Sequence, residues 1–275
     1  MVRIERFEEV GSFYERVSPY LLENEAVHAV QLGFRSTLEK NARAYGDADP
    51  LLLAVVDEGR IAGVAVRTPP HNLLLSLMEP TAAEALADEL RGETLPGAIA
   101  PVAVGEAFVA RWPAAATVAI EQRLFEASEV IPPRPVTGSM RLYEEHDREL
   151  VLRWLAAFHE EALPGEGNFD PERDLARQRE SAGDFAIWDD GGPVSFGAFG
   201  SPTPHGMRIG PIYTPPELRG RGYASALTAA ITERILAGGC RFSFLATDLA
   251  NPTSNSIYQR IGYRPVMDVT VWRFA

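Results

Sequence analysis

The sequence predicts a mixed α/β protein: two similar mixed-sheet domains in tandem, the C-terminal one complete and the N-terminal one a degenerate copy. Three observations carry this. A proline-rich segment divides the 275 residues into halves of similar size. Hydrophobic periodicity in the second half reads as β-α-α-β-β-β-α-β-α-β, the alternation of a layered α/β structure. In the first half a fainter hairpin, strand and helix follow the same order, which points to duplication.

In the first half, Leu51 to Asp57 and Ile61 to Arg67 are apolar runs flanking Glu58-Gly59-Arg60, a hairpin signal. Leu73 to Met78 reads as a strand and Ala82 to Leu90 as a helix. The segment from Val130 to Gly138 then places Pro132, Pro133 and Pro135 within four residues, which neither a helix nor a sheet interior tolerates. It sets the domains at 1–133 and 134–275.

The second half opens with a short strand, Met140 to Tyr143. Arg148 to Ala162 follows, with Val151, Trp154, Leu155, Phe158 and Ala162 at helical spacing. Pro164 ends that helix, and Pro171 suits the first turn of the next, Pro171 to Glu180. Phe185 to Trp188 and Val194 to Phe199 flank Asp189-Asp190-Gly191-Gly192, a second hairpin. Arg208 to Tyr213 is a strand, and Tyr223 to Ala237 a helix whose stripe is Ala224, Leu227, Ile231 and Ile235, stopped by Gly238-Gly239. Arg241 to Thr247, Ser254 to Ile261 and Val266 to Phe274 complete the order as strand, short helix and closing strand.

Composition bounds the function. A net charge of −12 gives no basic face for nucleic acid. An acidic cleft would concentrate cationic small substrates, although solubility alone is the better-supported explanation of an acidic chain. No apolar run approaches the ~18–20 residues of a membrane span. The charged N-terminus is unlike a signal peptide, so the cytoplasm is the expected compartment. The single Cys240 cannot form an internal disulfide and, beside an apolar run, reads as a buried thiol.

The motif that carries chemistry is Thr214-Pro215-Pro216-Glu217-Leu218-Arg219-Gly220-Arg221-Gly222-Tyr223-Ala224, between a strand and a helix. Two glycines let successive backbone N–H groups converge without Cβ obstruction. The helix N-terminus adds free donors and partial positive charge, and Arg219 and Arg221 add full charges. Such a loop suits a pyrophosphate. Gly220-x-Gly222-x-x-Ser225, with Asp248 ending the next strand, approximates a dinucleotide fingerprint. Against that, the third position is Ser, and the 27 residues after Asp248 cannot build a second nucleotide-binding half.

Arg219-x-x-Gly222-x-Ala224 resembles the pyrophosphate loop of the GCN5-related N-acetyltransferases (GNAT), and Ile212-Tyr213-Thr214 enters it as that family's fourth strand does. Downstream, Asn251-Pro252-Thr253-Ser254-Asn255-Ser256-Ile257-Tyr258 followed by Gly262-Tyr263 is similar to the family's second signature. The resemblance covers residues 139–275. It implies that the fourth and fifth strands splay, with pantetheine pairing against the backbone of Ile212, Tyr213 and Thr214, where an N–H would polarise the acetyl carbonyl. It further implies that Arg219, Gly220, Arg221, Gly222, Tyr223, Ala224 and Ser225 hold the pyrophosphate of acetyl-CoA, that Asn251 touches the pantetheine arm, and that Tyr258 is catalytic beside the thioester sulfur. No metal is called for.

The chemistry wants such roles. A leaving thiolate of pKa about 8.5 is helped by a proton donor, and a phenol near pKa 10 can serve. The alternative for Tyr258 is a core aromatic, since Ile257 and Ile261 mark a packed helix, and for Asn251 an ordinary turn residue before Pro252. An amine of pKa about 10.4 must lose a proton, at a cost of roughly 4–5 kcal/mol at pH 7. His159, Glu160, Glu161, Glu166, His205 and Asp248 are candidate bases, and none is singled out.

Where the first half should carry its own loop, after Met78, it gives Glu79-Pro80-Thr81-Ala82-Ala83-Glu84, without glycine and with acids facing an anion. The expectation is a degenerate copy that shapes the acceptor cleft or an interface, leaving room for a homodimer. Leu21 to His28 resembles the opening helix of tandem-domain acetyltransferases, and Glu23, Asn24, Glu25 and His28 read as a solvated face. The expected function is acetyl transfer from acetyl-CoA to a primary amine of a small molecule, with neither nucleic acid nor membrane as partner. A mycothiol-synthase-like activity and a non-catalytic acyl-CoA sensor or scaffold are the alternatives.

Overall fold

The computed structural model describes residues 2–162, 169–180 and 183–275. One element order is written twice along the chain. The first pass is β1 (Arg3–Phe7), α1 (Val10–Glu23), α2 (Ala29–Leu38), β2 (Leu51–Asp57), β3 (Arg60–Arg67), β4 (Leu73–Leu75), α3 (Pro80–Glu89), β5 (Gly97–Pro101), α4 (Val102–Arg111) and β6 (Ala116–Ala127). The second is β7 (Ser139–Leu142), α5 (Arg148–Ala162), α6 (Pro171–Glu180), β8 (Asp184–Asp189), β9 (Pro193–Gly200), β10 (Gly206–Tyr213), α7 (Tyr223–Ala237), β11 (Phe242–Asp248), α8 (Pro252–Arg260) and β12 (Arg264–Phe274). The duplication that the sequence hinted at is complete, element for element.

The chain folds as two compact units, and these are not the two sequence halves divided at 133 and 134. One gathers Met1–Leu124, Ala246–Asn251 and Pro265–Ala275; the other gathers Phe125–Leu245 and Pro252–Arg264. In the first unit the strand order is β1-β2-β3-β4-β5-β12-β6, so the last strand of the chain lies between β5 and β6. β12 pairs antiparallel with β5 from Val269 opposite Pro101 to Arg273 opposite Gly97. On its other side Asp268 takes both nitrogens of the Arg123 fork at 2.7 and 2.8 Å. Gly105 of α4 lies under this strand: a Cβ there would come within 2.6 Å of Trp272 Nε1.

The unbroken apolar run of β2 is explained by burial on both faces. Leu52, Ala54 and Val56 pack with α1 and α2, whereas Leu53 and Val55 pack with α3 and α4. The second unit repeats the arrangement with the order β11-β10-β9-β8-β7. Phe185 and Ile187 face Val151 and Leu155 of α5, and Ala186 and Trp188 face the α7 side, where Leu227, Ile231 and Ile235 are buried. Phe125 and Ala127, at the end of β6, are buried in that second core as well.

Several local expectations change. Leu21 to His28 is not a helix: α1 stops at Glu23 and residues 24–28 form a turn. Of its polar residues Glu23 and Asn24 are exposed, whereas His28 is 1% and Glu25 9% exposed. His28 ties the turn to the end of β4: Nδ1 meets Leu21 O at 2.9 Å, and Nε2 accepts the Leu77 N–H at 3.1 Å. β4 is shorter than the expected Leu73 to Met78, and Met78 turns inward against Gly63. Cys240 is half-buried rather than buried. Pro164 and Glu166 lie outside the described residues.

Candidate active site

Strand β10 builds the site by leaving one neighbour. It pairs in parallel with β11 only over Gly206–Arg208, opposite Phe242–Phe244. Its register against β9 then shifts between Ile209 and Ile212, where Gly210 has φ +134°. A bulge re-aims a strand, so Ile212 and Tyr213 remain on the edge of β9 after the β11 ladder has ended. The carbonyls of this edge are used internally. Ser195 Oγ donates to Tyr213 O at 3.0 Å, and Arg219 Nε donates to Thr214 O at 2.8 Å. Thr214 Oγ1 lies 2.8 Å from Ser195 Oγ.

After a short turn at Pro216–Leu218, the loop passes through Gly220 (φ +76°) and Gly222 (φ +92°) into α7. Both angles lie in the left-handed region that favours glycine. A Cβ on Gly220 would meet no described atom within 4 Å, so this glycine borders open space. A Cβ on Gly222 would come within 3.0 Å of Val136 Cγ1. Gly222 is the N-cap of the 15-residue α7 and offers no side-chain cap. The first-turn amides of Tyr223, Ala224 and Ser225 therefore have no intrahelical acceptor and point out of the helix end.

The two arginines do different things. Arg221 is exposed; it makes a long contact to Glu217 O at 3.4 Å and lies beside the Tyr223 hydroxyl and the Asp190 carboxylate. Arg219 turns back onto the protein: besides Thr214 O, its Nη2 reaches Glu161 of α5 at 2.5 Å and its guanidinium lies 5.6 Å from the centre of the Tyr213 ring. Arg219 thus forms a brace, with a carboxylate and a carbonyl meeting its fork. On the other flank, Tyr223 donates to Asp190 Oδ2 at 2.6 Å, as does Thr137 Oγ1 at 2.7 Å. These donors hold the Asp190 carboxyl below the usual range. The proline segment thereby ends as a wedge under the loop, through Val136 and Thr137.

Tyr258 lies on α8, half-exposed, with its ring tilted against Phe125 at 6.3 Å and edge-on to Tyr263 at 5.9 Å. Its hydroxyl has no hydrogen-bond partner among the described residues, and desolvation of its surroundings pushes its pKa well up. The aromatic is therefore both packed by its ring and available at its oxygen. Asn251 is exposed just before α8 and donates its backbone N–H to Asp248 O at 3.0 Å.

Of the candidate bases, His159 stacks on Phe169 at 4.3 Å. Glu161 is desolvated, which raises its pKa, but the donors Arg219 and Tyr213 outweigh this and hold the carboxyl below its ordinary value. That makes it a poor base near neutral pH. Among the described residues no cluster of His, Cys, Asp and Glu is arranged to hold a metal ion. In the first unit the corresponding helix α3 begins at Pro80 after Glu79, with no glycine at its entrance. Sequence reasoning missed the Glu161 and Asp190 contacts. A hairpin turn and a helix end carry no local sign of what they meet across the fold.

Residues 140–263 match the acetyltransferase (GNAT) family. Among curated proteins no sequence matches the chain. Three solved structures are similar over nearly the whole length: a Drosophila protein (TM-score 0.69, 14% identity, 99% of this chain and 98% of that one); a tandem GNAT protein from the clavulanic acid biosynthesis pathway (0.61, 14%, 100% and 98%); and a GCN5-related N-acetyltransferase from Sphaerobacter thermophilus (0.60, 15%, 99% and 95%). At these identities the likeness establishes the fold: mixed α/β, in a tandem arrangement.

Proposed function

We propose, with the GNAT-family match of residues 140–263 as premise, that the second unit catalyses direct transfer of an acetyl group from acetyl-CoA to a primary amine of a small molecule. The observation that carries this reading is the loop entering α7. Gly220 borders open space, and the first turn of α7 presents uncapped amides. That is the donor set a pyrophosphate needs. The residues fit the group; the acidic, glycine-free entrance to α3 does not.

The backbone of Gly220, Gly222, Tyr223, Ala224 and Ser225 would hold the pyrophosphate, with Arg221 adding charge. Ile212, Tyr213 and Thr214 offer the strand edge for the pantetheine arm. Once bound, acetyl-CoA supplies an activated acyl group whose thiol leaves as a modest base. A backbone N–H on the β10 edge polarises the carbonyl. Tyr258, a phenol, keeps its proton at neutral pH, and it donates a hydrogen bond, then that proton, as charge develops on sulfur. We assign no base for the amine. A net charge of −12 favours a cationic acceptor over an anionic one. No helix among the described residues is long and apolar enough to cross a membrane, and the cytoplasm is the proposed compartment.

The test is calorimetric titration of the full chain with acetyl-CoA, followed by a thioester-consumption screen across amines, aminoglycosides, polyamines, amino acids and peptides. One site per chain and turnover with at least one amine class are expected. Two equivalent sites, or none, would overturn the site assignment. Tight binding without turnover on any class would make the protein an acyl-CoA binder instead.

A further inference from the structure

We infer that Glu161 is a positioning residue for the cofactor loop, acting through Arg219 and Tyr213; the inference rests on the acetyltransferase reading above. One carboxylate at the end of α5 holds both ends of the segment that joins β10 to the glycine loop. Its Oε1 accepts the Tyr213 hydroxyl at 2.9 Å, where the strand stops. Its Oε2 accepts Arg219 Nη2 at 2.5 Å, where the glycine loop starts. Arg219 Nε closes the figure by donating to Thr214 O at 2.8 Å, and the guanidinium covers the Tyr213 ring.

Charge-assisted bonds with this geometry fix direction as well as distance. A loop already ordered at both ends loses less freedom when an anion binds it. The fold itself does not depend on the contact. Glu161 and Arg219 are 41% and 48% exposed, and ion pairs so exposed contribute little to stability. Glu161 therefore spends its interaction on the geometry of the loop.

A second role for the same residues would have the opposite sign. If Arg219 were itself a phosphate ligand, Glu161 would compete with the cofactor, and removing its charge would tighten binding. The sign of one substitution separates the two.

The experiment titrates coenzyme A into the full chain by calorimetry for wild type, Glu161→Gln, Arg219→Gln and the double variant, with a thermal melt of each. Glu161→Gln should weaken binding about three- to tenfold while the melting temperature stays within about 2 °C. The double variant should be no weaker than Arg219→Gln alone, because both remove one unit. With an acceptor in hand, the KM for acetyl-CoA should rise by the same factor and kcat should stay within about twofold. Unchanged or tighter binding by Glu161→Gln, a fall in affinity matched by a fall in melting temperature, or effects that multiply would each overturn the inference. Wild type failing to bind coenzyme A would overturn the acetyltransferase reading and this inference with it; wild-type binding unaffected by the substitutions would overturn only the role of Glu161.

Discussion

Tyr258 and Tyr263 stand edge to face with ring centres 5.9 Å apart, yet of the two hydroxyls only that of Tyr263 has a hydrogen-bond partner among the described residues. Tyr263 is 2% exposed, and its oxygen lies 2.6 Å from Ser243 Oγ and 2.8 Å from Thr232 Oγ1. Burial pushes its pKa up to about 12, against the lowering effect of those two partners. Tyr258 has the same ring chemistry and an oxygen free to meet a ligand.

The two tyrosines should therefore respond oppositely to removal of the hydroxyl. Tyr258→Phe is expected to lower turnover by about 10²–10⁴-fold, the usual worth of a general acid. Cofactor affinity should stay within about tenfold and stability should be nearly unchanged. Tyr263→Phe leaves buried hydroxyls short of a partner and should cost about 1–3 kcal/mol of stability with near-normal turnover. Measuring turnover, affinity and denaturant stability on both variants decides it; full activity of Tyr258→Phe would assign the proton to another donor.

Gly222 has both a conformational and a steric requirement. Gly222→Ala must hold a left-handed conformation that costs an ordinary residue about 1–2 kcal/mol, and its Cβ presses on Val136 Cγ1. Gly222→Asp adds a negative charge at the helix end and should abolish acetyl-CoA binding. Gly220→Ala carries strain without the Val136 contact and should weaken binding with a smaller loss of stability. Calorimetry and thermal melts of the three variants check the ranking.

His28 should make the first unit sensitive to acid. Burial lowers its folded-state pKa below the ordinary 6.5, so the imidazole is neutral where it accepts the Leu77 N–H. A depressed folded value means that the stabilising contribution is whole above the unfolded pKa and is lost as pH falls through the folded one. The melting temperature should decline as pH falls below about 6.5, and His28→Gln should flatten that slope. Carboxylates such as Asp147, held low by Arg141, lose their contribution only below their ordinary value of 3.8. An unchanged slope in His28→Gln would remove the imidazole as its source.

Phe125 belongs by sequence to the first repeat and by packing to the second core, where it is fully buried against Tyr258. Phe125→Ala should cost about 3–5 kcal/mol. A fragment of residues 134–275 lacks Phe125 and Ala127 and carries a β12 stripped of its partners β5 and β6. It is expected not to show a cooperative melt or to bind coenzyme A. A well-folded, binding-competent fragment would show that the strand placement is dispensable.

The sequence by itself determined the elements of the second half, the hairpin and α3 of the first, and the glycine loop; β1, α1, α2, β5, α4 and β6 were not read from it. Alternation and 3.6-residue spacing report which faces of one segment are apolar, and this sufficed for the hairpins, for α5 at Arg148–Ala162 and for α7 at Tyr223–Ala237. Gly220 and Gly222 were legible because left-handed backbone leaves few alternatives to glycine. Only the tertiary structure decided where β12 pairs, that Glu161 braces Arg219, that Asp190 takes Tyr223, and that His28 is buried. The physical reason is the same for all four. Strand partners and charge pairs are chosen by groups distant in the chain, and a strand's own pattern says which side is buried, not whose edge it meets. A charged residue near a helix end, or a histidine in a polar turn, reads as solvated until the element that covers it is in place.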